Sequence, residues 1–319
     1  MKNYLLSLLA LFFLNLPNIY AQSVAESVGT SLELTTANGT LKGTLLLPAS
    51  SKPVKVVLLI SGSGPTDRDG NNPIMKNNSL KLVAEALYAQ GVATLRYDKR
   101  GIAESKEAAI PEQDLRFDHY VKDATAWLQK LKTDKRFSKV IVLGHSEGSL
   151  IGMVAAREAM ADGFISVAGP GQSADKVIRQ QLQAQPKMVT DMALPILDQL
   201  VQGKPVAEVN PMLASLFRPS IQPYIISWFQ YDPQVEIKKL SVPVLVVQGT
   251  QDLQVTEQEA QLLKAAQPKS KLAVIEGMNH VLKETTADKA ANASTYNQPA
   301  LALAPKLMPE IIGFIATVK

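Results

Sequence analysis

Apolar runs and amphipathic stripes alternate along this chain in a way that separates strands from helices. Ser31–Thr36 and Thr40–Leu47 alternate with period two around Ala37-Asn38-Gly39, and the Asn-Gly step predicts a hairpin that ends at Pro48. Val54–Ile60, VKVVLLI, is apolar almost throughout, as expected of a strand covered on both faces. Leu80–Gln90 reads as a helix closed by Gly91, and Val92–Tyr97 as the next strand. Asp114–Lys132 carries Phe117, Val121, Ala124, Leu128 and Leu131 on one helical stripe. Val140–Leu143, Phe164–Ala168, Val242–Gln248 and Leu272–Glu276 are further strands, Ser149–Ala156 is a small-residue helix, and Pro309 opens a last helix over Glu310–Val318. Strands that alternate with helices predict a mostly parallel sheet covered on both faces, whose functional loops lie beyond the carboxyl ends of the strands.

Two stretches break the alternation. From Gln172 to about Tyr231 there is no strand-like run, and prolines 186, 195, 205, 211, 219 and 223 cut short helical patterns. This predicts a helical insertion, a cap over residues 172–235, set into a core of residues 22–171 and 236–319. Lys283–Pro299 is polar and reads as a loop.

The N-terminus has the texture of a targeting segment. A positive start at Lys2 precedes the apolar Tyr4–Leu16, and Ala21, with Ile19 two positions before it, closes a cleavage site. Residues 1–21 are expected to be a secretory signal peptide, with an uncleaved signal anchor as the alternative. The mature chain then begins near Gln22, keeps no stable membrane anchor, and works in a periplasm or outside the cell. The chain has no cysteine, which removes disulfides, a thiol nucleophile, thiolate metal sites and a lipoprotein anchor together. The formal charge of +4 over 319 residues is scattered, without the basic patch that would suggest nucleic acid.

The candidate chemistry begins at Gly144-His145-Ser146-Glu147-Gly148, a G-x-S-x-G between a strand and a helix. This is the nucleophile-elbow pattern, in which a tight turn exposes the serine at the mouth of a helix. A serine hydroxyl needs an adjacent base, and the chain has three histidines. His119 falls opposite Phe117 on its helix and reads as a solvated residue. His145 adjoins the serine and is expected to point away from it, packing beside the turn. His280 follows the last strand and is the candidate base. Asp252, directly after Val242–Gln248, is the candidate carboxylate to orient it, in the order Ser146, Asp252, His280. Asp98, Glu257 and Glu276 are its rivals, Asp98 being read rather as a structural ion-pair residue beside Arg100. The backbone N–H groups of Glu147 and Ser63 are candidate oxyanion donors, the second carried by the glycine-rich loop Ser61–Pro65. Glu147 and Asp67-Arg68-Asp69 are expected near the pocket mouth, with Arg68 either recognising a substrate carboxylate or bracing its loop.

Five segments resemble the α/β-hydrolase superfamily, and within it the bacterial carboxylesterases grouped with serine-aminopeptidase-like and dienelactone-hydrolase-like proteins: SGSGPTDRDGNN at 61–72, LRYDKRGIAES at 95–105, GHSEGSL at 144–150, PVLVVQGTQDLQV at 243–255 and EGMNH at 276–280. Ser61-Gly62 stands where many relatives have His-Gly. The resemblance implies an α/β-hydrolase fold, Ser146, Asp252 and His280 as triad, Ser63 and Glu147 as oxyanion donors, and hydrolysis of a small-molecule ester without metal or organic cofactor. Amide or peptide hydrolysis on the same triad, and a catalytically silent binding protein, are the competing expectations; fold alone does not choose among them.

Overall fold

A computed structural model describes residues 29–319 apart from Ala184; the expected signal peptide lies outside the described residues. Eight strands form one sheet: β1 (Thr30–Thr36), β2 (Gly39–Leu46), β3 (Val54–Ile60), β4 (Ala93–Tyr97), β5 (Phe137–His145), β6 (Gly163–Val167), β7 (Val244–Gly249) and β8 (Lys271–Ile275). Their order is β1-β2-β4-β3-β5-β6-β7-β8. β1 and β2 form the expected hairpin, with Thr36 opposite Gly39, and β2 runs antiparallel to β4. Every pairing from β4 to β8 is parallel, so the carboxyl ends of β3, β5, β7 and β8 meet at one edge.

The near-continuous apolar strands face two cores. Val56, Leu58, Val140, Val142, Val244 and Val246 point to one side, and Val57, Leu59, Ile141, Leu143, Leu245 and Val247 to the other. The second side is closed by α1 (Ser79–Ala89) and by α11, the last helix (Leu307–Thr317). The first is closed by α2 (Phe117–Thr133) and α3 (Glu147–Glu158), with α4 (Ala174–Gln183), α5 (Lys187–Val201), α6 (Ala214–Phe217) and α7 (Gln222–Trp228) continuing the same apolar cluster outward. These four helices occupy the proline-cut stretch. α8 (Pro233–Lys238) and α9 (Glu257–Ala266) complete that face.

The α2 stripe is buried as its period requires: Phe117, Val121, Ala124, Leu128 and Leu131 all lose nearly all solvent exposure. Trp127, which the stripe did not include, is fully buried against Tyr97 with ring centroids 5.9 Å apart, and its truncation would cost about 3–5 kcal/mol. Two expectations need correction, and one helix answers to none. His119 is half-buried rather than solvated, because its Nδ1 accepts the Arg116 N–H at 3.0 Å and so closes the start of α2. Helix α9 has no counterpart among the elements expected from the sequence. Lys283–Pro299 is not a plain loop: it holds α10 (Lys289–Ser294) and a 3-10 turn at Thr295–Asn297, started by Asp288, whose carboxylate accepts the Ala291 N–H at 2.7 Å.

Candidate active site

Ser146 stands between β5 and α3 with φ 55° and ψ −126°, a conformation that non-glycine residues rarely hold. The turn is over-determined by its surroundings. The Ser146 N–H donates to Val167 O on β6 at 3.0 Å. A Cβ at Gly144 would lie 2.2 Å from Gly148 O, and one at Gly148 would lie 2.4 Å from Ile60 O, so neither position has room for a side chain. The strand, turn and helix are thereby pressed together, and the serine is the one residue of the turn left partly exposed.

The loops after β7 and β8 bring a carboxylate and an imidazole to the same edge. Asp252 Oδ2 lies 2.8 Å from His280 Nδ1. The other oxygen, Oδ1, accepts the N–H groups of Gln254 and Val255 at 2.8 and 2.9 Å, while Gln248 Nε2 donates to Oδ2 at 3.1 Å. Burial pushes the Asp252 carboxyl upward, but the charge and hydrogen bond of His280 and the two backbone donors outweigh it and hold the group below its ordinary value. With Nδ1 engaged, His280 has Nε2 free to act on a proton. Ser146 and His280 make no side-chain hydrogen bond with each other in this structure. Of the rival carboxylates, Glu257 and Glu276 are exposed, and Asp98 is paired 2.6 Å from Arg68 Nη2. Asp98 is thus an ion-pair residue, though not through Arg100, which instead forms a buried two-pronged pair with Asp123 at 2.8 and 2.6 Å.

Two other expectations gain a physical content. His145 does not merely pack beside the turn: its Nε2 is 2.8 Å from the backbone oxygen of His280, and the two rings lie 4.8 Å apart. Burial, and then the neighbouring His280, push its pKa down to about 4, so the ring is neutral and donates Nε2–H to that carbonyl. For Arg68 the ion-pair alternative is the one observed: Asp98 and Glu104, from the segment after β4, hold its guanidinium and brace its loop. The Glu147 side chain is likewise buried, 2.9 Å from the Tyr224 hydroxyl, which donates to it.

Asn292 and Thr295, which lie outside every sequence motif, fix the histidine loop through Asn279. Asn279, next to His280, donates from Nδ2 to Asn292 Oδ1 and Thr295 Oγ1 at 2.9 and 2.6 Å. Asn292 in turn donates to Gln251 O at 2.7 Å, beside Asp252. The signal that could have located this clamp is the helix start itself, an Asp288 cap before the alanine-rich KAANAS.

Above the serine is a cavity of about 140 Å³. Ser63, Ser146 and Glu147 form its floor, Ala174, Val177, Ile178 and Trp228 its apolar wall, and Gln181 and Gln254 its polar rim. Among the described residues, no group of three or more His, Cys, Asp or Glu is placed to hold a metal ion.

The geometry meets a family at this point. A model of the family described as serine aminopeptidase, S33, matches residues 76–235, which take in the turn at Ser146 and helices α4 to α7. The chain belongs to that family of α/β-hydrolases. Esterase EstD of Thermotoga maritima is 30% identical to this α/β-hydrolase over 260 residues, 77% of the chain, and the chain spans 59% of the length of that relative. Est1E from Butyrivibrio proteoclasticus superposes with a TM-score of 0.61 at 17% identity, covering 91% of this chain and all of that one. A thermophilic esterase from Thermogutta terrifontis does so with a TM-score of 0.54 at 16% identity, covering 91% of this chain and 99% of that one. The fold expected of this α/β-hydrolase is the fold observed.

Proposed function

We propose that the protein is a serine carboxylesterase for small-molecule esters. Ser146 attacks the acyl carbon as His280 Nε2 takes its proton, and Asp252 holds the imidazole and stabilises its cation. The oxyanion is received by the N–H of Glu147 and that of Ser63. As the first residue of α3, Glu147 has an N–H with no acceptor inside the helix. His280 then protonates the leaving alcohol, and water repeats the sequence on the acyl-enzyme. The Ser146–His280 hydrogen bond is made when substrate orders the hydroxyl, as is common for catalytic contacts that are long before substrate binds.

The single observation that carries this function is the 2.8 Å contact of Asp252 with His280 at the same sheet edge as the strained Ser146. Esters are favoured over peptides with a free amino terminus by the state of the nearby carboxylates. Glu147 is turned away to Tyr224, Glu259 accepts the N–H groups of Gly171 and Gln172, and Asp252 serves His280. None of these is offered to a substrate ammonium. A cavity of about 140 Å³ suits an acyl group about the size of a benzene ring. We further propose, from the N-terminal segment, that the enzyme acts outside the cytoplasm; N-terminal sequencing of protein recovered from cell fractions tests this by asking whether the chain starts near Gln22.

The test of the activity is hydrolysis of p-nitrophenyl esters from acetate to laurate by the wild type and by Ser146→Ala. A fall of several orders of magnitude in the variant is expected. Equal, feeble rates in both would end the proposal.

A further inference from the structure

Lys99 is 1% exposed, on the loop that follows β4, and the serine mechanism has not used it. Burying an ammonium costs several kcal/mol unless it is paired, and an apolar side chain would fill the same space without that cost. The surroundings of Lys99 indicate what it does. Its Nζ donates to the backbone oxygen of Gly62. It lies 3.9 Å from Glu147 Oε1 and 5.1 Å from the centre of the Tyr120 ring. A carbonyl oxygen, a carboxylate and a ring face all favour the cation.

Gly62 O and Ser63 N–H belong to one planar trans peptide group and point in opposite directions. A cation on the oxygen therefore fixes the direction in which Ser63 N–H points. It also draws electron density through the peptide, making that N–H a stronger donor. The other proposed donor is tied to the same cation, because Glu147 provides both the backbone N–H at the pocket floor and the carboxylate beside Lys99. The chain of contacts ends at Tyr224 of α7, whose hydroxyl donates to that carboxylate.

On the footing of the esterase function above, we propose that Lys99 is a positioning residue of the oxyanion hole. From behind the Gly62–Ser63 peptide it orients and polarises one donor, and through Glu147 it joins both donors to Tyr224 of the capping helices. Burial pushes the Lys99 ammonium below and the Glu147 carboxyl above their ordinary values, and their mutual attraction opposes both shifts. The pair is thus sensitive to the loss of either member.

The experiment compares wild type, Lys99→Met, Lys99→Gln, Lys99→Arg and Ser146→Ala. It measures kcat and KM for p-nitrophenyl acetate, the inhibition constant of an aryl trifluoromethyl ketone (which forms an oxyanion on the serine), and Tm. Losing a whole oxyanion donor costs about 10²–10³-fold, so Lys99→Met is expected to lower kcat about 10–100-fold with KM little changed. The ketone should weaken by a similar factor, and Lys99→Arg should recover part of both. A folded Lys99→Met with wild-type kcat and wild-type ketone affinity overturns the proposal, as does a kcat loss that leaves ketone affinity intact. If Lys99→Met does not fold, Lys99→Gln, which keeps a donor but no charge, is judged by the same two outcomes. Ser146→Ala separates the two levels. If it retains activity, the esterase function itself fails; if it is inactive while Lys99→Met is normal, only the role of Lys99 fails.

Discussion

His145, the residue before Ser146, donates from Nε2 to the backbone oxygen of His280, 2.8 Å away. The turn at Ser146 and the loop of His280 are thus tied directly, strand β5 to the loop after β8. Burial and the neighbouring His280 push the pKa of His145 down to about 4, although the bond to the carbonyl opposes the shift. The unfolded chain takes up this proton near pH 6.5, the folded chain only near 4. The stabilising contribution is therefore complete above pH 6.5 and is lost as pH falls toward 4, roughly 3 kcal/mol over that window. We expect the wild-type stability to decline over this range and His145→Gln to flatten the decline. Urea unfolding at pH 7.5, 6, 5 and 4 measures it, and parallel curves for the two proteins would refute the assignment.

Asp252→Asn removes the charge that orients His280 while leaving a side chain of the same shape. In serine triads such a change costs about 10⁴ in kcat, and a fall of about 10³–10⁴ with modest change in KM is expected here. Stability should also drop by about 1–3 kcal/mol, because one face of an amide cannot accept all of the Gln254, Val255 and Gln248 donors that the carboxylate now serves. Steady-state kinetics beside thermal unfolding checks both figures.

Much of this was legible in the sequence because it rests on local pattern. Strands β3, β5 and β7 are near-continuous apolar runs, the G-x-S-x-G sits at the one turn where Gly144 and Gly148 admit no Cβ, and Asp252 directly follows its strand. What escaped depends on contacts between distant loops. Arg68, 30 residues before Asp98 in sequence, reaches it because the loops after β3 and β4 are spatial neighbours; adjacency in sequence pointed to Arg100 instead. The hydrogen bond of His145 is invisible to local pattern because its partner lies 135 residues away. The role of Lys283–Pro299 was hidden because its hydrogen-bonding residues are polar and its helix is short, so no apolar period marks it.

Asn292, 1% exposed in that helix, is expected to matter for activity although it touches no reacting atom. Replacing it by alanine leaves one Asn279 bond unmade and releases Gln251 O, loosening both the histidine and the aspartate loops. A loss of about 1–3 kcal/mol in stability is expected from the unpaired buried groups. We expect kcat to fall about tenfold, since misplacing a catalytic group by about 1 Å can cost 10²-fold. Wild-type kcat in an Asn292→Ala protein destabilised by this amount would show that the clamp supports the fold and not the base.

Trp228 is the bulkiest side chain lining the cavity above Ser146, stacked on Phe117 with centroids 6.3 Å apart and planes 5° from parallel. Phe117 is fully buried in the main core, so moving the indole aside for a longer chain would cost this packing. The present cavity of about 140 Å³ should therefore favour acetate to butyrate, with kcat/KM declining along the series toward laurate. Trp228→Ala removes most of a wall and is expected to shift the optimum to longer acyl groups. Each additional buried methylene is worth about 0.8 kcal/mol, so the octanoate-to-acetate ratio of kcat/KM should rise by at least about tenfold. The measurement is the same p-nitrophenyl series on both proteins. An unchanged ratio would mean that the acyl chain leaves the serine on the side away from Trp228.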